Sequence, residues 1–153
     1  MQEEQVMNLK GCFLHNTDDW ETPKELYDYL MERGYVDPCP LHCKEDNSKK
    51  EYPYNSLIYI NPPYSKIKDW IEFIKINWYN RRLLLIPART DTKYFHELLE
   101  LNPFIYFIKG RLKFGDSKSS APFPSLLLFD PPISLLGVYK TTTIEEIIEK
   151  RLL

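Results

Sequence analysis

Apolar residues recur at intervals of three and four in four stretches of the chain, which is the spacing of one face of an α-helix. The first predicted helix begins with Thr22 as capping residue, Pro23 at the first helical position and Glu25 as capping-box glutamate. Gly34 is expected to end this helix. Its predicted inward residues are Leu26, Tyr27, Leu30 and Met31.

Three further helices are predicted, over residues 67–78, 92–101 and 143–152. The last of them begins with a capping box formed by Thr143 and Glu146. The side chains expected to face the core are Ile67, Trp70, Ile71, Ile74 and Trp78, then Tyr94, Phe95, Leu98 and Leu99, then Ile144, Ile147, Ile148 and Leu152.

Short apolar runs predict strands at residues 35–37, 56–60, 83–87, 104–108, 112–114, 125–129 and 135–139. Strands and helices alternate from residue 35 to about 103, which predicts a parallel sheet with crossover helices. Strands dominate afterwards. We therefore predict an α/β protein with a compact, trimmed Rossmann-like fold, a mainly parallel central sheet and an antiparallel C-terminal portion. We expect residues 1–19 to form a lead-in and 20–153 to form one domain.

The composition excludes several classes of protein. The chain has 153 residues, 43% hydrophobic and 27% charged, with a net charge of −2. These values exclude a disordered chain, and they exclude binding of nucleic acid by bulk charge alone. The longest apolar runs are strand-sized, so we expect no membrane span and no signal peptide. Three cysteines fit a reducing, intracellular setting.

The chemistry-bearing residues follow predicted strands. Asp37 follows one strand, residues 61–64 follow the next, and residues 89–92 follow a third. Because parallel strands end at the same edge of a sheet, where ligands bind, these residues should share one site.

The sharpest signal is Asn61-Pro62-Pro63-Tyr64. Two prolines fix the backbone into a stiff corner that presents the Asn61 side-chain oxygen and the Pro62 carbonyl as preset acceptors. Two acceptors suit an exocyclic amino group, and Tyr64 offers a flat face for stacking. Methyl transfer to an amino nitrogen requires this arrangement. The plainer alternative is a proline-stiffened loop.

The chain resembles the phage-type DNA N6-adenine methyltransferases that use S-adenosylmethionine. The resemblance covers roughly residues 19–130 and runs in the family's order. The similar stretches are Asp19-Trp20-Glu21-Thr22-Pro23, Val36-Asp37-Pro38-Cys39-Pro40-Leu41, Asn61-Pro62-Pro63-Tyr64-Ser65, Ile86-Pro87-Ala88-Arg89-Thr90-Asp91-Thr92, Gly110-Arg111-Leu112-Lys113-Phe114 and Ala121-Pro122-Phe123-Pro124-Ser125.

The resemblance implies a role for each matching position. Asn61, Pro62, Pro63 and Tyr64 would be the catalytic motif. The residues implied to bind S-adenosylmethionine are Trp20, Thr22 and Pro23, near its methionine end, and Asp37, Pro38 and Cys39, after the first strand. The turn after that strand lacks the glycines that many enzymes using this cofactor carry. Asp46 and Asn47 are candidates for the ribose.

Contacts to DNA are expected from two further groups. Arg89 would meet a phosphate or the flipped nucleotide while Asp91 orients it, although Thr90 or Asp91 is equally suited to cap the next helix. Lys109, Arg111 and Lys113 alternate along a predicted strand and would neutralise phosphates, with a solvated sheet edge as the alternative. Arg81-Arg82 is a second candidate patch or simply a helix end, and His96 is expected to be structural.

A zinc site is the alternative interpretation of the cysteines. Cys12, His15, Cys39, His42 and Cys43 have suitable spacing, although we expect no metal in the leading hypothesis.

The leading hypothesis is site-specific methylation of a flipped-out adenine in double-stranded DNA by a monomer or homodimer. The alternatives are an enzyme for cytosine N4, RNA or a protein amide, and an inactive nucleic-acid-binding module, with or without a stabilising zinc ion. The compact size fits a virus or mobile element, with the enzyme in the cytoplasm, or the host cytoplasm if viral.

Overall fold

A single sheet of six strands organises the computed structural model, which describes residues 20–41, 43–130 and 139–153. The strands are β1 (Tyr35–Val36), β2 (Leu57–Ile60), β3 (Arg81–Pro87), β4 (Phe104–Ile108), β5 (Ser125–Phe129) and β6 (Tyr139–Thr142). Their spatial order is β1-β2-β3-β5-β4-β6. β1, β2 and β3 are parallel, as are β4 and β6, and β5 runs antiparallel to both of its neighbours. The predicted α/β fold, with its mainly parallel sheet and antiparallel C-terminal portion, is confirmed.

Helices cover both faces of the sheet. They are α1 (Lys24–Glu32), α2 (Ile67–Ile76), α3 (Lys93–Leu99) and α4 (Ile144–Glu149), with a 3-10 helix at Tyr64–Lys66. α1 and α4 pack into one hydrophobic cluster, and α2 and α3 into the other. Because side chains alternate across a strand, Tyr59 of β2 enters the first cluster while Ile58 and Ile60 enter the second.

The predicted ends of the helices are right in part. Gly34 follows the end of α1 with φ +84°, and Thr143 and Glu146 form the expected capping box of α4. Thr22 does not cap α1, because Pro23 occupies the N-cap position and no side chain bonds there. Neither Thr90 nor Asp91 caps α3, whose N-cap is Thr92.

The second helix stops earlier than its apolar spacing predicts. α2 ends at Ile76, and the Trp78 side chain, predicted to face the core, is 72% exposed. Buried Asn77 ends the helix. Its side chain accepts from the Tyr52 N–H at 2.9 Å and donates to the Lys50 and Phe73 carbonyls at 2.9 and 3.1 Å. Bonding to this neighbouring loop turns the chain before Trp78 can face inward.

The prediction of a strand at residues 112–114 is wrong, although its alternation of buried and exposed residues is present. Leu112 and Phe114 are buried and Lys113 is exposed. The Leu112 carbonyl accepts from the Ala121 N–H at 2.7 Å, which is a loop contact rather than part of the sheet. Of the strand predicted at 135–139, residues 135–138 lie outside the described residues, and β6 begins at Tyr139.

Arg82 is a structural residue rather than part of a basic patch. Its guanidinium forms a two-pronged ion pair with Asp130, with Nε to Oδ2 and Nη2 to Oδ1 both 2.7 Å. The Arg82 side chain is only 10% exposed, so it joins the start of β3 to the residue after β5. None of the described helices is long and apolar enough to cross a membrane.

We expect Asn77→Ala to lower the free energy of unfolding by about 2–3 kcal/mol, because it removes the three hydrogen bonds that this buried side chain makes with the backbone of Tyr52, Lys50 and Phe73. Urea unfolding measures this change. Trp78→Ala is the matched control, because the neighbouring side chain is exposed, and it should stay within about 0.5 kcal/mol of the wild type. Equal losses in the two variants would contradict the assignment of Asn77.

Candidate active site

A cleft of about 780 Å³ opens at the carboxyl edge of the sheet. Its walls come from the residues before α1 and the start of that helix, from those after β1 and from those after β2. Trp70 of α2 and residues 115–116 complete them. The lining includes Trp20, Glu21, Thr22, Lys24, Tyr27, Asp28, Asp37, Pro38, Cys39, Pro40, Leu41, Cys43, Lys44, Glu45, Asp46, Asn61, Pro63, Lys66, Trp70, Gly115 and Asp116. The parallel topology therefore brings the segments around Asp37 and Asn61 to one hollow.

The Asn61 carboxamide has a defined orientation. Its Nδ2 donates to the Trp20 carbonyl oxygen and, at 3.2 Å, to Thr22 Oγ1. Because a carbonyl oxygen can only accept, the atom that faces Trp20 must be the amide nitrogen. Oδ1 therefore points the other way, where it accepts from the Tyr64 hydroxyl at 3.5 Å. Asn61 thus presents an acceptor on the side away from the Trp20–Thr22 segment.

The rest of the proline corner is packed more deeply. Pro62 is buried, Pro63 lines the cleft, and Tyr64 begins the 3-10 helix with its ring partly buried. The Tyr64 ring meets the edge of Phe123, with ring centroids 5.6 Å apart. The corner is therefore anchored to the loop that precedes β5.

An aromatic cluster of Trp20, Tyr64, Phe114 and Phe123 joins the segments around the site. The Trp20 ring lies 5.4 Å from Phe114 and 4.9 Å from Phe123 by centroid, both edge-to-face. Such pairs contribute roughly 0.5–1.5 kcal/mol beyond their burial. The cluster holds residue 20, the corner and the loop over 111–124 together.

Gly115 allows that loop to approach Glu21. Its N–H donates to the Glu21 carbonyl at 2.8 Å, with φ +55°. A Cβ at this position would lie 2.7 Å from Glu21 Oε2, so a side chain would strain the backbone and displace the Glu21 carboxylate.

The segment after β1 is tied to the proline corner. The Cys39 N–H donates to Asp37 Oδ1 at 2.9 Å, and the Cys39 thiol donates to the Asn61 carbonyl at 3.4 Å. Burial raises the pKa of the Asp37 carboxyl, and the hydrogen bonds from Cys39 partly offset this. Burial also raises the pKa of the Cys39 thiol, so the sulfur is protonated at neutral pH.

Charge in the cleft favours a positively charged ligand. Six carboxylates line it against three lysines: Glu21, Asp28, Asp37, Glu45, Asp46 and Asp116 against Lys24, Lys44 and Lys66. Hydrogen bonds from the Ser48 hydroxyl and N–H hold the pKa of Asp46 below its usual range. Asn47 instead donates to the Pro38 carbonyl at 3.0 Å, which supports the turn after β1.

The residues predicted to contact DNA lie outside the cleft lining. Arg89 and Asp91 are exposed after β3, and Lys109, Arg111 and Lys113 are exposed between β4 and the cleft rim at Gly115. Lys109, Arg111 and Lys113 do not alternate along a strand as predicted. Burial of Leu112 and Phe114 nevertheless turns Arg111 and Lys113 outward. His96, expected to be structural, is exposed on α3.

The predicted cofactor residues converge with one exception. Trp20, Thr22, Asp37, Pro38 and Cys39 line the cleft, whereas Pro23 is not part of the lining. Of the candidate zinc ligands, Cys12, His15 and His42 lie outside the described residues. Among the residues that the structure describes, no group of three or more candidate ligands gathers.

Sequence reasoning missed Tyr59. Its hydroxyl lies 2.7 Å from Thr22 Oγ1, the same oxygen that accepts from Asn61 Nδ2. The available signal was a tyrosine inside the apolar strand that leads into the proline corner, because a buried phenol needs a polar partner.

The family model described as DNA N-6-adenine-methyltransferase (Dam) matches residues 13–133 of the chain. The chain belongs to this family. No curated protein and no solved structure shows significant similarity to it.

The Dam match spans all of the candidate catalytic, cofactor and DNA residues, from Trp20 to Lys113. It therefore includes all the residues that line the cleft, as well as the segment that carries Lys109, Arg111 and Lys113. Membership of the Dam family confirms the resemblance drawn from the sequence motifs.

The raised pKa of Asp37 should make the stability of this Dam-family protein depend on pH. Because burial raises its folded-state pKa, ionising Asp37 lowers the unfolding free energy as pH rises above the ordinary value of 3.8. Asp37→Asn keeps the acceptor for Cys39 but cannot ionise. Relative to wild type, this variant should gain stability between pH 4 and pH 7, measured by urea unfolding. A relative loss over that range would contradict the assignment.

Proposed function

We propose that this protein is an S-adenosylmethionine-dependent DNA adenine-N6 methyltransferase that acts on a flipped-out adenine. The observation that carries the proposal is the fixed orientation of Asn61 beside an open cleft, which leaves Oδ1 as an acceptor. Family membership supports the choice of DNA adenine as substrate. Flipping follows from the chemistry, because the adenine amino group is not accessible for in-line attack inside the stack.

Asn61 Oδ1 and the Pro62 carbonyl accept the two hydrogens of the target amino group in this mechanism. Accepting both hydrogens increases electron density on the nitrogen and directs its lone pair toward the cleft. The two prolines fix the second acceptor relative to the first, so little reorganisation is needed when the base arrives. Tyr64, whose ring packs edge-to-face with Phe123, provides an aromatic ring on which the target base can stack.

The cleft fits S-adenosylmethionine in size and in charge. Its volume suits a ligand of this class, and its carboxylates complement a cation. When bound, the cofactor supplies an electrophilic methyl group on a sulfonium. Asp37 and Cys39 would hold one part of it and Trp20 and Thr22 the other, since these residues line different walls of the cleft.

Direct transfer requires no covalent intermediate with the protein. Cys39 is unsuited to act as a nucleophile, because its partly buried thiol has a raised pKa and donates to the Asn61 carbonyl. Its hydrogen bond instead joins the segment after β1 to the proline corner. The rate then derives from positioning and from fixed dipoles, and the proton on the methylated nitrogen leaves to solvent.

We expect Asn61→Ala to reduce methyl transfer by roughly 10²–10³-fold, as for removal of one preorganised polar group that faces the reacting atoms. The assay is transfer of labelled methyl groups to plasmid DNA, followed by mass spectrometry of the nucleosides. Glu72→Gln on the exposed side of α2 is the control and should retain wild-type activity.

The identity of the methylated nucleoside decides between acceptors. N6-methyladenine supports the proposal, whereas N4-methylcytosine, or a product only in RNA or protein, would replace it with one of the related activities. DNA binding without any transfer, unaffected by Asn61→Ala, would indicate an inactive binding module.

The exposed basic residues before the cleft rim should bind phosphates. Removing one charge that binds a phosphate should reduce the slope of log K against log salt by about 0.9, so Arg111→Gln with Lys113→Gln should reduce it by about 1.8. Fluorescence anisotropy with duplex DNA at several salt concentrations measures the slope. The control is Lys75→Gln, in the last turn of α2 at the opposite edge of the sheet. An unchanged slope in the double variant would exclude a role for these two side chains in DNA binding.

A further inference from the structure

We infer that Tyr59 is a positioning residue that fixes the Asn61 carboxamide through the hydroxyl of Thr22. The inference rests on the proposed function, in which Asn61 Oδ1 accepts a hydrogen of the target amino group. Tyr59 has no access to the cleft, so any effect on the reaction must pass through its neighbours.

The Tyr59 hydroxyl is held inside the core. The side chain is 0% exposed, among core residues that include Leu26 and Leu30 of α1 and Leu83 of β3. Its oxygen lies 2.7 Å from Thr22 Oγ1, and Thr22 is itself only 7% exposed. A phenolic proton without an acceptor is costly in such surroundings, so the Tyr59 hydroxyl donates to Thr22.

This donor assignment defines the role of Thr22. Its oxygen accepts one hydrogen from Tyr59 and a second, at 3.2 Å, from Asn61 Nδ2. Both lone pairs are then used, and the hydroxyl oxygen cannot also serve as an acceptor for a ligand. The Thr22 proton is left to point toward the cleft that Thr22 lines. Thr22 therefore acts on a bound ligand only as a donor.

The same chain of hydrogen bonds selects one of two orientations of Asn61. Rotating its carboxamide by half a turn would place Oδ1 against the Trp20 carbonyl and the occupied lone pairs of Thr22. The contact with the Trp20 carbonyl would then be repulsive, and Thr22 could bond Oδ1 only by turning its proton away from the cleft. Tyr59, by donating to Thr22 Oγ1, holds this oxygen in place as the second acceptor of the amide nitrogen, beside the Trp20 carbonyl. The oxygen is thereby kept for the substrate.

Tyr59→Phe tests the inference with little change in volume. We expect kcat to fall about tenfold with the KM for DNA unchanged, because the variant lacks one hydrogen bond that orients the acceptor while the DNA surface is intact. Thr22→Val should lose more activity than Thr22→Ser, which keeps the hydroxyl. Tyr106→Phe is the matched control, a buried tyrosine of the same cluster on β4, and should retain wild-type kcat.

A second measurement does not depend on activity. The side-chain amide protons of Asn61, assigned in ¹⁵N-labelled protein by their absence in Asn61→Ala, should exchange with solvent several-fold faster in Tyr59→Phe than in wild type or Tyr106→Phe. Unchanged exchange, or an unchanged kcat in Tyr59→Phe while Asn61→Ala is inactive, would overturn the inference. Absence of methyl transfer by the wild type would instead overturn the proposed function, and amide exchange would still test the role of Tyr59.

Discussion

The hydrogen bond from the Asn61 amide nitrogen to the Trp20 carbonyl is the contact on which the candidate site depends. It joins a corner that follows β2 to a segment 41 residues earlier in the chain, and it decides which end of the carboxamide faces the cleft. The aromatic cluster keeps the two segments in place, since Trp20 and Tyr64 both pack against Phe123. The geometry of the site therefore depends on how the loops around it pack together.

The parallel part of the sheet supplies the second constraint. β1 and β2 end at the same edge, so Asp37 and Asn61 reach one cleft although they are far apart in the sequence. The thiol of Cys39 then bridges the two segments by donating to the Asn61 carbonyl. The wall after β1 and the acceptor corner are held together in this way without the glycine-rich turn that many enzymes using S-adenosylmethionine have.

Several predictions were wrong for one physical reason, namely that buried polar groups took partners that local spacing does not reveal. Thr22 has the sequence context of a helix cap, but its hydroxyl bonds Tyr59 and Asn61 instead. Asn77 ends α2 because its side chain bonds the loop at Lys50 and Tyr52, which leaves Trp78 outside the core. The sequence offers Arg82 as part of a basic patch, yet Asp130, 48 residues away, pairs with it. Each partner is distant in sequence, so a search along the chain cannot find it.

The sequence alone determined the fold class, the family, the stiff proline corner and the set of segments that gather at the carboxyl edge. Those features depend on local periodicity, on the fixed φ of proline and on motif order, all of which can be read along the chain. Only the tertiary structure decided how Asn61 is oriented and that Tyr59 reaches it through Thr22. It also decided that Arg111 and Lys113 face outward from a loop rather than a strand. These features depend on hydrogen bonds and packing between residues far apart in sequence, which exist only once the sheet has brought their segments together.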